Sequence, residues 1–403
     1  MKKRNRPTCT ICDYPMRPNG PTSAGKQRWR CTNCNATSLN TRANTDEIRH
    51  FTIFIEWILT GDPAHRVAAR YNVSRRTLTR WFRYFWFIQI PSITDPHRVY
   101  DQLFIDGTYF HKKCLLVACT STHVVAWHWC IRETTRDYTT LLDKLAPPLV
   151  VTTDGQRGSL KAIKDCWPHT KIQRCLVHVQ RNIYTETTRN PHTAAGKVLR
   201  RLADDLTGLT DNELADSWIN SFNKFSLTFH DWINQRTYRK DVAETDIPKR
   251  IRPNQQWWYT HPRHRRAYKL LKRLLVTEQT LLTYLNPPEG CQALKSTTNY
   301  LEGGINKQLK DLASDHRGMF DEHQRIAMDW WLYHHTEHHQ PALQLAKDQY
   351  FGLTGYNKAK QLYAEEQQRH QPHPTGKPAT YDTSIDTDFN PSWAIRHGWA
   401  GRG

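Results

Sequence analysis

The sequence predicts an α+β protein of several domains, and three observations lead to this prediction. Two Cys-x-x-Cys pairs lie close to the N-terminus. Apolar residues then recur with helical spacing as far as about residue 87. From residue 103 onward, short apolar strands alternate with helices until a long stretch of helical spacing interrupts them.

The charge balance of the 403-residue chain favours a polyanionic partner. The chain has 57 Lys and Arg residues against 38 Asp and Glu residues, a net charge of +19. Residues 1–100 alone hold 17 basic and 6 acidic residues. Because basic residues release counterions when they bind phosphates, double-stranded DNA is the predicted partner. The sequence has neither an apolar run of about 18 residues nor a signal peptide, so we expect a soluble, cytoplasmic protein.

The first element is a predicted zinc ribbon over residues 1–42. Its four cysteines form two pairs with 18 residues between them: Cys9, Cys12, Cys31 and Cys34. This spacing can place four thiolates tetrahedrally around one structural Zn²⁺, although a redox pair or chance spacing is the alternative. Arg28 and Arg30 lie in a segment typical of a β-hairpin and are candidate DNA contacts. A purely structural or protein-docking ribbon remains open.

Residues 43–95 show the pattern of a helix-turn-helix domain. Ser74 can cap a third helix that begins with polar and basic residues, after a short second helix and a turn at Asn72. Such a helix enters the major groove of DNA with its first turns. The candidate DNA contacts are Ser74, Arg75, Arg76, Thr79 and Arg80. The alternative is a three-helix bundle with a solvated basic face.

Two apolar strands end on a carboxylate followed by glycine. Asp106 follows Leu103–Ile105, and Asp154 follows Leu149–Thr153. Each Asp-Gly pair alone is ordinary turn chemistry. Residues 96–182, however, read as three strands, helix, strand, helix, strand and helix, which is the order of an RNase H-like domain. In that order the first and fourth strands are neighbours, so Asp106 and Asp154 would share a metal site.

A third motif follows the last of these strands. Cys175, His178 and Asn182 are spaced to lie on one face of a helix. We expect His178 and Asn182 to form hydrogen bonds near the carboxylates and Cys175 to be buried, with a zinc site as the alternative.

Residues 183–290 have helical spacing throughout and predict an all-helical insertion. Trp257 and Trp258 lie there beside many cations. They are candidates for stacking on unpaired bases, although core packing is the simpler interpretation.

Residues 291–345 complete the catalytic domain and supply a third carboxylate, Glu302. Asn299, Glu302 and Asn306 would share one face of a helix. Gly303 and Gly304 weaken that helix, which suggests close approach of another backbone or of DNA. Residues 346–403 form a C-terminal extension that we expect to be partly disordered.

Taken together, these motifs resemble those of Mutator-type transposases of bacterial insertion sequences. The resemblance rests on Ile-Asp106-Gly-Thr-Tyr, Thr-Asp154-Gly, the block from Cys175 to Asn182, and Thr298-Asn-Tyr-Leu-Glu302-Gly-Gly-Ile-Asn306. It implies that Asp106, Asp154 and Glu302 are the catalytic residues of a nucleoid-associated enzyme that binds terminal inverted repeats. It also implies a homodimer or higher oligomer in the synaptic complex.

The residue types indicate the cofactor. Hard cations prefer carboxylate oxygens, so we expect two Mg²⁺ or Mn²⁺ ions at Asp106, Asp154 and Glu302. An RNase H-like nuclease would use the same acids without strand transfer. A domesticated DNA-binding regulator or a structural zinc-ribbon scaffold would not need them, and the three intact acids argue against both.

Overall fold

A computed structural model describes residues 6–9, 11–39, 45–92, 94–110, 113–291, 293–316 and 318–370. They form a mixed α+β structure with two compact units. The first unit comprises Met1–Ile90, Met319–Trp330 and Gln340–Gly403, and the second comprises Pro91–Gly318 and Trp331–His339. The disorder that we predict for the end of the C-terminal extension falls outside the described residues beyond position 370.

The first unit begins with a small antiparallel sheet in the order β1-β2-β3. Its strands are β1 (Met16–Pro21), β2 (Gln27–Cys31) and β3 (Thr37–Ser38). β1 and β2 form the hairpin predicted between the two cysteine pairs.

Three helices follow in the first unit: α1 (Thr45–Thr60), α2 (Ala64–Arg70) and α3 (Arg75–Phe82). The Ser74 hydroxyl accepts a hydrogen bond from the Thr77 N–H, so the predicted cap of α3 is confirmed. Leu78 and Phe82 of α3 are buried, and Phe82 packs edge-on against Phe54 of α1. The opposite face of α3 is therefore left to solvent.

The second unit is built on a five-stranded sheet in the order β6-β5-β4-β7-β8. Its elements in chain order are β4 (Gln102–Phe110), β5 (Lys113–Cys119), β6 (Val124–Cys130), α4 (Thr135–Leu142), β7 (Val150–Thr153), α5 (Arg157–Cys166), β8 (Lys171–Arg174) and α6 (Leu176–Thr187). β4, β5 and β6 pair antiparallel, whereas β4 with β7 and β7 with β8 pair parallel.

The pairing of β4 with β7 positions the two aspartates. Ile105 is the register partner of Thr153, so Asp106 and Asp154 follow at the same level of the sheet. The prediction that these two strands are neighbours is confirmed. Leu103 and Ile105 pack into the core formed with α4 and α5. Since side chains alternate along a strand, Asp106 points to the opposite face of the sheet.

The segment predicted to be an all-helical insertion contains helices and one short sheet. Its elements are α7 (Ala194–Asp205), α8 (Asn212–Thr228), α9 (His230–Asn234), β9 (Arg236–Tyr238), β10 (Trp257–Tyr259) and α10 (Pro262–Lys272). The prediction of helices alone is wrong for β9 and β10, which pair antiparallel. Strands of three residues are too short for their alternation to be visible in a sequence. α6 shares a buried core with α7, α8 and α10, so it continues past the predicted boundary at 182.

The remaining elements complete both units. They are two π-helices at Arg273–Thr277 and Tyr300–Asn306, and then α11 (Lys307–Asp315), α12 (Asp321–His334), α13 (Ala342–Gln349) and α14 (Leu353–Arg369). Tyr356 and Tyr363 of α14 make edge contacts with Tyr84, so this part of the C-terminal extension packs into the first unit. Within the described residues, every helix is too short or too polar to cross a membrane.

Candidate functional site

Two aspartates from neighbouring strands begin the site. The Asp106 carboxylate accepts a hydrogen bond of 3.0 Å from the Asn306 side-chain amide. Asp154 follows β7 directly, and its carboxylate accepts the Gln156 backbone N–H at 2.9 Å. Each aspartate is thus held by a neutral donor, and neither has an ion-pair partner within the described part of the chain.

Glu302 lies in the π-helix Tyr300–Asn306 and not in the predicted α-helix. The Thr298 carbonyl accepts the N–H groups of Leu301 and Glu302, at 2.9 and 3.0 Å. π-helical turns occur frequently at functional sites. Asn306 reaches Asp106 from this helix, whereas Asn299 is exposed and makes no hydrogen bond to the three acids among the residues described.

Glu302 is held by two basic side chains of α6. His178 Nε2 lies 3.1 Å from Glu302 Oε1, and Arg181 Nη1 lies 2.7 Å from Oε2. The predicted neighbour Asn182 is exposed and has no hydrogen bond to an acid of the site in the described residues. Arg181 takes that place, although nothing in its sequence context favours it over Asn182.

Cys175 is fully buried at the start of α6 and is linked to the same group. Its sulfur accepts hydrogen bonds from the Thr298 N–H and hydroxyl, at 3.3 and 3.2 Å. The ligating atoms of Cys175, His178 and Glu302 all lie within 4.8 Å of one another, so these residues could also hold a metal ion. Asp106 and Asp154 do not belong to this close group.

Burial and the neighbouring acids govern the charge state of Asp106. Burial and the nearby Asp154 charge raise the pKa of Asp106 to about 7, and Glu302 adds to the effect. Burial alone would lower the pKa of His178, but Cys175 and Glu302 outweigh it and raise this pKa to about 8.

The donor set fits a divalent cation. Carboxylate oxygens are the ligands that Mg²⁺ and Mn²⁺ prefer, and a cation would relieve the repulsion between the acids. Asn306 is 3 % exposed, and its Oδ1 atom has no hydrogen-bond partner among the described residues. A buried amide oxygen without a described partner therefore lies on the side chain that holds Asp106.

Arg174 is a further residue that sequence reasoning missed. It is 3 % exposed, and its guanidinium donates a hydrogen bond of 2.7 Å to the Asp154 carbonyl. Gly155 turns the chain here with φ of +85°, and a Cβ atom at Gly155 would overlap the Arg174 guanidinium. The only signal in the sequence is an arginine at the end of an otherwise ordinary strand.

The four N-terminal cysteines form a second group of possible metal ligands. Their sulfur atoms all lie within 4.8 Å of one another. A tetrahedral Zn²⁺ with Zn–S bonds of about 2.3 Å separates its sulfur ligands by about 3.8 Å. Backbone N–H groups of Ile11 and Asn33 donate to the sulfurs of Cys9 and Cys31, which favours thiolates. The group could hold zinc.

The predicted DNA contacts differ in their accessibility. On α3 all five candidates are exposed: Ser74, Arg75, Arg76, Thr79 and Arg80. On β2, Arg28 is exposed and Arg30 is half-buried. Trp258 is 8 % exposed and serves as a packing residue, which leaves the predicted base contact to Trp257. The half-buried Trp257 ring already carries the Arg236 guanidinium at 4.1 Å.

Comparison with known proteins gives two related matches. Residues 145–252 match the family described as Transposase, Mutator family. This segment contains Asp154, Cys175 and His178 but neither Asp106 nor Glu302. A transposase for insertion sequence element IS905 from Lactococcus lactis subsp. lactis (strain IL1403) is 33 % identical over 107 residues, which cover 22 % of this chain and 27 % of the relative. Both matches are to transposases, and the chain spans only 27 % of the length of this relative.

Proposed function

We propose that this chain, whose residues 145–252 match the Mutator family of transposases, cuts the ends of an insertion sequence and joins them to target DNA. One observation carries the proposal. The parallel pairing of β4 with β7 brings Asp106 beside Asp154, and Asn306 then ties the helix of Glu302 to Asp106. Three carboxylates from distant parts of the sequence thus meet at one sheet.

In this proposal Asp106, Asp154 and Glu302 hold two divalent cations, Mg²⁺ or Mn²⁺. Such ions, when bound, activate the attacking oxygen and stabilise the charge that develops on the phosphate and the leaving oxygen. The attacking oxygen belongs to water in the cleavage step and to the freed 3′-hydroxyl of the element in the joining step.

The neighbouring residues of the chain orient the acids. Asn306 fixes the Asp106 carboxylate, while the Gln156 N–H and the Arg174 guanidinium fix the carboxylate and the carbonyl of Asp154. His178 and Arg181 hold Glu302. These contacts limit the rotamers of the acids, and a preorganised site loses less free energy when substrate binds.

The first unit would recognise the DNA. An RNase H-like catalytic fold with a separate helix-turn-helix is the arrangement we propose, with α3 in the major groove and the ribbon near the terminal inverted repeats. The exposed arginines of α3 and the net charge of +19 support this role. Because two element ends must be joined to one target, we propose a homodimer or higher oligomer in the DNA complex.

The test is an assay with purified protein, Mg²⁺ and labelled DNA that carries the element's own ends. We expect Asp154→Asn to abolish both cleavage and joining while binding of the ends in a mobility-shift assay is unchanged. Asp165→Asn, an exposed acid at the end of α5, is the matched control. Retained Mg²⁺-dependent joining by Asp154→Asn would contradict the proposal.

The same assay separates the two alternatives. Cleaved products without joined products from the unmodified protein would identify a nuclease. Binding of the ends without any cleavage would identify a DNA-binding regulator.

A further inference from the structure

Glu133 is a fourth acidic residue close to the three acids, and the proposed function does not use it. It lies between β6 and α4 and is half-buried. Its carboxylate sits directly over Gly107, the residue that follows Asp106, since a Cβ atom at Gly107 would overlap Glu133 Oε1. The absence of a side chain at Gly107 is what lets this carboxylate approach the strand.

The backbone of Glu133 is tied to the Asp154 turn. The Gln156 side-chain amide donates a hydrogen bond of 3.0 Å to the Glu133 carbonyl, and the backbone N–H of Gln156 holds the Asp154 carboxylate. One residue therefore fixes both segments. The hydrogen bonds of Gln156 hold the Glu133 backbone at a fixed position relative to Asp154.

The Glu133 carboxylate accepts only long hydrogen bonds from the described residues around it. Among the described residues, its oxygens accept only the Tyr138 hydroxyl at 3.4 Å and the Cys114 thiol at 3.7 Å. Among the residues that the structure describes, it has no ion-pair partner. Burial raises its pKa, and so does the nearby charge of Asp154.

A purely structural role does not explain a charged group at this position. Weak hydrogen bonds to a phenol and a thiol do not offset the cost of burying a carboxylate beside other carboxylates. A cation shared with Asp154 would offset that cost. A second observation points to a ligand: the Asn306 side chain that holds Asp106 also has a buried Oδ1 atom, which lacks a partner in the described structure.

We infer that Glu133 is a fourth carboxylate ligand of this site and binds the divalent cation on the Asp154 side. This inference rests on the proposed metal-dependent function. It enlarges the site from three acids to four and gives Gly107 a role, namely to leave room for the carboxylate.

The first experiment measures Mn²⁺ binding to the full-length, zinc-loaded protein by the electron paramagnetic resonance signal of free Mn²⁺. Glu133→Gln keeps the size of the side chain and one accepting oxygen but removes the charge. We expect it to weaken Mn²⁺ binding by about tenfold or more, as is common for residues that support a metal site. Asp143→Asn, an exposed acid at the end of α4, should bind Mn²⁺ like the unmodified protein.

A second variant guards against an effect of folding. In Gly107→Ala the new methyl group meets only the end of the flexible Glu133 side chain, which can rotate away. We expect the same decrease in Mn²⁺ affinity with an unchanged urea unfolding curve. The double variant Gly107→Ala/Glu133→Gln should bind Mn²⁺ no more weakly than either single variant, because both act on one carboxylate.

Asp154→Asn separates the failure of this inference from that of the proposed function. If Asp154→Asn weakens Mn²⁺ binding and Glu133→Gln does not, Glu133 is no ligand and the inference is wrong, while the proposed function stands. If neither variant changes Mn²⁺ binding, the proposed metal site is wrong and the role of Glu133 fails with it.

Discussion

At the scale of single residues, the turn after β7 is the most constrained part of the site. Gly155 has φ of +85°, and the Arg174 guanidinium occupies the space where a side chain at this position would begin. Arg174 in turn holds the Asp154 carbonyl. The orientation of Asp154, a proposed metal ligand, thus depends on the missing side chain at Gly155 and on the buried guanidinium of Arg174.

We expect Gly155→Ala to destabilise the protein more than Gly290→Ala. Both glycines have positive φ, at +85° and +78°, but at Gly290 no atom of the described residues lies within 4 Å of a Cβ position. Gly290→Ala therefore measures the backbone strain alone, about 1 kcal/mol or somewhat more. Gly155→Ala has the same backbone strain and, in addition, the free-energy cost of displacing the Arg174 guanidinium. Urea unfolding of both variants gives the comparison, and equal decreases in stability would show that Arg174 moves aside without cost.

Sequence reasoning at this scale identified residues by their place in a pattern. Asp106 and Asp154 each end an apolar strand, and Glu302 stands among polar residues in a helical segment, so each carries a local signal. Glu133 and Arg181 carry none, because they lie in ordinary polar or basic contexts, and Arg174 carries only its place at the end of a strand. Their proximity to the acids arises from the packing of segments that are far apart in the chain.

At the scale of elements, strand patterns were predictable and helix type was not. The strands β4 to β7 are apolar enough to be recognised, whereas β8, with the sequence Lys-Ile-Gln-Arg, follows only from the alternation of strands with helices. The spacing of Asn299, Glu302 and Asn306 fits an α-helix, but the segment forms a π-helix that begins after Thr298. Hydrogen-bond register within a helix leaves no mark in the spacing of polar residues.

The two glycines of this π-helix lead to a prediction about DNA. Gly303 is exposed and has no atom of the described chain within 4 Å of a Cβ position, so the protein itself does not require a glycine there. We expect Gly303→Ala to leave the free energy of unfolding unchanged or to raise it by up to about 1 kcal/mol. Cleavage of element ends should nevertheless fall if DNA approaches this backbone.

Gly208→Ala is the control for Gly303→Ala, since Gly208 is another exposed helical glycine with open space around it. Its cleavage rate should match that of the unmodified protein. Full activity in Gly303→Ala would contradict close approach of DNA to this helix.

The N-terminal sheet and its four cysteines lead to a prediction about zinc. A three-stranded sheet of this size cannot build a sufficient core, so metal binding would supply much of its folding free energy. We expect Cys31→Ser to reduce the zinc content, measured by elemental analysis, to background. Cys291→Ser, a half-buried cysteine outside the ribbon, should keep its zinc. Unchanged zinc in Cys31→Ser would refute the site.

At the scale of the whole molecule, the excess of positive charge should govern binding to DNA. The chain carries +19, and the exposed arginines of α3 form part of this excess. Each phosphate that a basic residue neutralises releases counterions, so affinity falls as salt concentration rises. The slope of the logarithm of affinity against the logarithm of salt concentration reports how many basic side chains contact phosphates.

We expect the double variant Arg75→Gln/Arg76→Gln to weaken binding of element ends and to reduce the salt slope by about 2, because each arginine would neutralise one phosphate. Lys358→Gln/Lys360→Gln removes two exposed charges from α14 of the same unit and should leave the slope unchanged. Fluorescence anisotropy across a salt series measures both. Equal slopes for the two double variants would argue against α3 as the DNA-reading helix.

The hydrogen bond between Asp106 and Asn306 joins positions that are 200 residues apart, and Thr298 meets Cys175 across 123 residues. Domains of a growing chain generally fold from the N-terminus as they leave the ribosome. The ribbon, α3 and two of the acids are therefore synthesised well before Glu302 and Asn306. A polypeptide released before residue 302 lacks the third acid, so under the proposed function an incomplete translation product would have no complete metal site.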